Sequence, residues 1–217
     1  MYGQNNSSKM QKFADYIINQ IQNNRTRFFT IIGFTFGFLL LGIFIYSKTL
    51  NFSVDASDKL SEAYMYFSYG DIQRGTQLLE DTITHFSGTS AAYQARLVKA
   101  DLLTEQQNFA EALKLLLEVS ERAKPETLRP LALSRIIYLY DKQGDYLNAI
   151  KYSLEFINRY KTNFMIRNVF LNLAQYYVLT GSLEDAARVY TEILVNFPAT
   201  DEAAIAERAL NNINIKK

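Results

Sequence analysis

Four stretches of the chain repeat one pattern at an interval of 37 residues: "YGDIQRGT" (69–76), "QQNFAEAL" (106–113), "QGDYLNAI" (143–150) and "TGSLEDAA" (180–187). Self-similarity at a period of roughly 20–50 residues restricts a chain to stacked architectures such as solenoids and propellers. The residue types then choose between them. A turn residue (Gly70, Gln107, Gly144, Gly181) is followed by a polar one (Asp71, Asn108, Asp145, Ser182) and an apolar one (Ile72, Phe109, Tyr146, Leu183). Glycine suits a left-handed helix end, and a polar residue after it caps the next helix by accepting a free backbone N–H.

Five residues after each turn residue stands a small one: Gly75, Ala112, Ala149 and Ala186. Seven residues before it stand Ala63, Ala100, Ile137 and Ala174, with Tyr66, Leu103, Tyr140 and Tyr177 three residues later. Small positions let antiparallel helices approach closely, and the large residues fill the space beside them. Each repeat is therefore predicted to be a helix hairpin. The pattern resembles the tetratricopeptide repeat, extended here by three residues, with Pro198 where that motif places its closing proline. Ile137 in place of a small residue, and Gln107 in place of Gly, predict looser packing in their repeats.

The four repeats cover residues 57–198. After them "TDEAAIAERALNNI" reads as one more amphipathic helix, capped by Thr200 or Asp201. Within residues 199–217 it is expected to cover the apolar end of the last repeat, as a terminal unit of a solenoid must.

Residues 28–47, "FFTIIGFTFGFLLLGIFIYS", contain no charge. At ~1.5 Å per residue a helix of this length spans ~30 Å, the hydrocarbon core of a bilayer. A cleaved secretory signal is disfavoured, because the preceding segment is too long and the apolar stretch exceeds the usual ~7–15 residues. The expected fold class is all-α: one N-terminal transmembrane helix, a linker at 48–56, a tetratricopeptide-like α-solenoid and a C-terminal capping helix. Residues 1–27 form a basic tail, with Lys9, Lys12, Arg25 and Arg27 against Asp15; the remainder holds 19 Lys plus Arg against 21 Asp plus Glu. Positive residues are retained in the cytoplasm, which orients the N-terminus inward and the repeats outside.

Within the tail, "KFADYIINQIQNN" sets Phe13, Ile17 and Ile21 on one helical stripe beside Ala14 and Ile18, suited either to the membrane surface or to a partner. Gly33 and Gly37 have the spacing of a helix-dimerising pair, which three glycines in one span also produce by coincidence.

The chemistry of sites points away from catalysis. His85 is the sole histidine and there is no cysteine, so His/Cys metal clusters and Cys nucleophiles are excluded, and no phosphate-cradling or nucleophile-elbow motif is present. No cofactor is expected. Nucleic acid is disfavoured as a partner, because the segment after residue 27 has no basic patch.

The tetratricopeptide resemblance implies that the first helix of each pair lines a concave groove. It assigns to that groove Tyr64, Phe67 and Ser68; Leu97, Asp101, Thr104 and Glu105; Tyr138, Asp141 and Lys142; and Asn168, Leu171, Gln175 and Val178. The carboxylate clamp of chaperone-binding members needs Lys, Arg and Asn at such places, and only Lys142 and Asn168 are similar. Aromatic anchors beside Asp101, Glu105 and Asp141 suit a segment with apolar and basic side chains. Tyr64, Phe67 and Tyr138 admit a second reading equally well, as packing between neighbouring repeats.

Tail, single span and repeat domain together resemble the single-pass, tetratricopeptide-bearing ancillary subunit of the bacterial Sec translocon, to whose end "ALNNINIKK" is also similar. That resemblance implies an inner-membrane protein with a periplasmic C-terminal domain, whose partners are translocon components, periplasmic chaperones or exported clients. It implies a non-enzymatic, membrane-tethered protein-binding scaffold. The alternative is a repeat scaffold for envelope assembly or cell division.

Overall fold

The structure, a computed structural model, describes residues 10–13, 15–16, 18–19, 22 and 25–215, without the side chains of 214 and 215. Of the amphipathic tail, Phe13 and Ile18 are helical and exposed, while Ala14, Ile17 and Ile21 lie outside the described residues, as do Lys216 and Lys217. The described elements are all helices: α1 (Arg25–Ser68), α2 (Ile72–His85), α3 (Ser90–Glu105), α4 (Phe109–Arg122), α5 (Leu128–Lys142), α6 (Tyr146–Arg159), α7 (Ile166–Leu179), α8 (Leu183–Asn196) and α9 (Asp201–Ile215).

The chain divides into two compact units, 1–52 and 53–217. In the first, the apolar stretch from residue 28 is helical and almost wholly exposed, and it is long and apolar enough to cross a membrane. Residues 48–56, expected as a linker, are instead helical and belong to α1. "KTLNFSVDA" holds neither Pro nor Gly, so nothing in its backbone chemistry stops a helix there.

In the second unit the turns explain the hairpins. Gly70, Gly144 and Gly181 have φ of +80°, +70° and +79°, and Gln107 takes the same left-handed conformation at 61°. The next residue starts the following helix. Asp71 accepts from the Arg74 N–H at 2.9 Å and Asp145 from the Asn148 N–H at 3.2 Å. Asn108 and Ser182 sit at the same position without a side-chain cap bond. Thr200 caps α9 by accepting from the Ala203 N–H at 3.2 Å.

The second helix of each hairpin buries one stripe at i, i+4 and i+7, the spacing of a single helix face. The sets are Gly75, Leu79, Thr82; Ala112, Leu116, Val119; Ala149, Ser153, Phe156; and Ala186, Tyr190, Ile193, all buried. Burying a side chain such as Phe156 contributes about 1.5–3 kcal/mol. Thr82 and Ser153 enter this stripe at no cost in unmade bonds, since each hydroxyl donates to the carbonyl four residues earlier, at 2.7 Å. Opposite them stand Ala63, Ala100 and Ala174, fully buried; Ile137 is buried too, so its larger side chain fills the core instead of loosening it.

In the first hairpin Lys59 pairs with Asp81 at 3.3 Å, and Gly75 lies against Phe67, which fixes the two helices as antiparallel. From α2 onward each helix packs on its sequence neighbours, with α3 also touching α5 and α7 touching α9. Buried apolar residues form two clusters, one centred on the first hairpin with Ala91 and Ala95 of α3, the other running from Tyr93 to Ile213.

Candidate functional site

The first helices of the hairpins, residues 53–68 of α1 followed by α3, α5 and α7, carry the sequence-predicted groove residues, and the structure separates them. Leu97 is only 4% exposed and belongs to the core, so it lines no open groove. Phe67 is partly buried over Gly75, where an added Cβ would come within 2.5 Å of its ring: it packs its own hairpin. Leu171 likewise packs on the core cluster. Of the others, Asp101, Thr104, Glu105, Tyr138, Asp141, Asn168 and Gln175 line two clefts that share Tyr138, while Tyr64, Ser68, Lys142 and Val178 line neither.

The first cleft, about 270 Å³, lies between α3 and α5 and is lined by Val98, Asp101, Leu102, Thr104, Glu105 and Tyr138. Its acids are already engaged. The Arg135 Nε–H donates to both Asp101 carboxylate oxygens, at 2.8 and 3.0 Å. Tyr64, 46% exposed, stands in the field of this pair; burial raises its hydroxyl pKa, Arg135 opposes that and Asp101 adds to it. The Lys142 ammonium lies 5.2 Å from the Tyr138 ring centroid, and its pKa is raised first by the Tyr138 hydroxyl, then by the charge of Glu105 and least by that of Asp141. Asp101 and Glu105, read from sequence as open acidic spots, thus each face a cation of the next repeat.

The second cleft, about 240 Å³, lies between α5 and α7. It brings together three of the expected residues, Asp141, Asn168 and Gln175, with Tyr138 at its edge, 44% exposed. Ser134, Asn172 and Tyr176 also line it and were not anticipated, and the apolar Ile137, Met165, Val169 and Leu179 make up the rest. Helical spacing marks them: Asn172 stands four residues after Asn168 and three before Gln175, the intervals that share a helix face. Arg135, also missed, stands three residues before Tyr138 by the same rule.

Tyr176 forms the floor, 5% exposed, with its ring stacked on Tyr146 at 5.9 Å. Burial raises its hydroxyl pKa, and the nearby Asp141 carboxylate raises it further. Among the described residues Asp141 makes no ion pair. The cleft therefore offers one anionic group, two phenols and three side-chain amides. Amides donate and accept together, as a peptide main chain does.

Stacked helix hairpins with clefts between their first helices define a tetratricopeptide-type array, a class of protein-interaction scaffold. Residues 27–155 match the family described as "Tetratricopeptide repeat-like domain", over more than half of the sequence, and the chain belongs to that family. Among solved structures, the TPR-like repeats of a putative kinesin light chain from Podosopora anserina superpose with a TM-score of 0.56 at 14% identity, covering 76% of this chain and 89% of that one. A single-substitution form of those same repeats gives the same TM-score and coverage at 15% identity. At such identities the likeness carries the fold alone. No curated protein matches the chain.

Proposed function

We propose that this protein is a membrane-tethered, non-catalytic scaffold of the bacterial inner membrane, crossing it once through residues 28–47 with its N-terminus in the cytoplasm. Its repeats then stand in the periplasm, where their concave face takes segments of exported proteins or their chaperones beside the Sec translocon. The observation that carries this reading is an uncharged, exposed apolar helical stretch in the same chain as a partner-binding array. The family match begins at Arg27, at the border of that stretch, which supports treating span and repeats as one functional unit. Tethering raises the effective concentration of the groove near the membrane, so modest affinity suffices there.

Two measurements test it. Ser87, exposed in the α2–α3 turn, gives a unique thiol when changed to Cys, since the chain has none. Ser87→Cys is expected to react with a membrane-impermeant reagent in cells whose outer membrane is permeabilised; labelling only after lysis reverses the topology. Photo-crosslinkers at Phe38 and Tyr138 are expected to capture a translocon component and an exported protein or chaperone, respectively. Division or envelope-assembly proteins at both positions, without any translocon component, would establish the alternative scaffold role.

A further inference from the structure

The two clefts of the concave face differ in electrostatic completeness. Across α3 and α5, Asp101 is matched by Arg135, and Glu105 lies in the field of Lys142. Across α5 and α7, Asp141 makes no ion pair among the described residues, although it is partly withdrawn from solvent and stands close enough to Tyr176 to bias its hydroxyl. The adjacent Lys142 forms no ion pair with it: its ammonium lies above Tyr138, and Asp141 is the weakest of the influences that raise its pKa, behind Tyr138 and Glu105. A carboxylate that lines a cleft with two phenols and makes no direct ion pair favours a cation brought from outside, stabilised by a charge-assisted hydrogen bond and by the aromatic rings. Asn168, Asn172 and Gln175 line the same cleft along α7 and match the donor and acceptor pattern of an extended main chain.

We propose that the α5–α7 cleft is the specificity pocket of the groove and receives a lysine or arginine side chain from an extended segment of the partner, with Asp141 as counter-ion and the α7 amides holding the segment's main chain. This deepens the scaffold reading, on which it rests, and assigns recognition of a basic side chain to Asp141 and not to Asp101 or Glu105. The chemistry is that of an unfolded or loop segment with a basic residue between apolar ones. It excludes an acidic C-terminal peptide, which would bring its charge against the unpaired carboxylate.

The test uses the full chain in detergent micelles and two blocked, fluorescein-labelled peptides of Ala, Ser and Leu that differ only at the central residue, lysine in one and norleucine in the other. Fluorescence anisotropy is expected to show the lysine peptide binding about tenfold more tightly, the ratio that one charge-assisted hydrogen bond supplies. Asp141→Asn is expected to erase that ratio while leaving the norleucine peptide's Kd unchanged, and Asn172→Ala to weaken both peptides alike. Equal affinity for the two peptides in the unmodified chain overturns the proposal without need of any variant, as does failure of both to bind. So does a lysine preference that survives Asp141→Asn. The scaffold reading is judged separately: if these peptides show no lysine preference but the Tyr138 crosslinker still captures a protein, the groove stands and only its basic pocket fails.

Discussion

Arg135 of α5 reaches across to α3 and grips Asp101 by both carboxylate oxygens, tying the second and third repeats together on the concave side. Both side chains stay partly solvated, at 32% and 49%, so the pair contributes within the range of exposed bridges, about 0.2–1 kcal/mol. A double-mutant cycle of Asp101→Ala and Arg135→Ala, followed by urea unfolding, is expected to return a coupling of that size. Zero coupling would leave Asp101 free for a partner, as the sequence alone had implied.

Gly75 has no room for a side chain, because Phe67 occupies the space where its Cβ would stand. Overpacking costs about 1–3 kcal/mol, against about 1 kcal/mol gained from replacing a helical Gly with Ala. Gly75→Ala is therefore expected to destabilise the wild-type chain but to stabilise a Phe67→Ala chain by about 1 kcal/mol. The measurement is the sign of the change in the two backgrounds; the same sign in both would mean that the ring moves aside without cost.

Gln107 is the one of the four turn residues that holds a left-handed conformation with a side chain attached, at φ 61°. An L-residue pays about 1–2 kcal/mol there and glycine almost nothing. Gln107→Gly should raise the unfolding free energy by about 1 kcal/mol, and Gly144→Gln should lower it by a similar amount. Calorimetric midpoints moving in the same direction for both variants would contradict this.

Alkaline pH is expected to unfold the array progressively. Burial, and then Asp141, push the Tyr176 hydroxyl above the ordinary value of ~10, and burial does the same for Tyr190 and, as the leading cause, for Tyr140. Below pH ~10 folded and unfolded chains both keep these protons, and stability is unaffected. Above it the unfolded chain releases them while the folded chain holds them, so unfolding is favoured as pH rises. Urea midpoints should fall above pH ~10, and Tyr176→Phe should flatten the decline; an unchanged slope would place that hydroxyl in water.

The hairpins were legible in the sequence because they rest on local chemistry: left-handed turn positions, polar caps and small residues recurring at one interval. The groove was less so. Periodicity identifies which helix faces inward, but whether Leu97 sinks into the core or Tyr138 stands clear depends on the neighbouring repeat, a contact between residues far apart in sequence. Charge was the hardest to read. Asp101 and Asp141 look alike as letters on first helices, yet one is matched from across the groove by Arg135 and the other, among the described residues, is not. The helix through residues 48–56 was missed for a different reason: the interval between the uncharged span and the first repeat reads as a linker, although no backbone-breaking residue marks one.

The division of the core at α3 gives the array a seam. Ala91 and Ala95 of this helix join the cluster of the first hairpin, while Tyr93, Leu97 and Ala100 join the other, and Lys99 bridges the two sides through Glu80 at 3.0 Å and Glu111 at 3.8 Å. A cooperative unit bounded in this way opens at its own free energy, below that of the whole domain. Amide protons of α2 should then exchange with solvent before those of α4 and α6. A partner seated between α5 and α7 would keep its pocket through such openings, so the first hairpin can breathe without letting the cargo go.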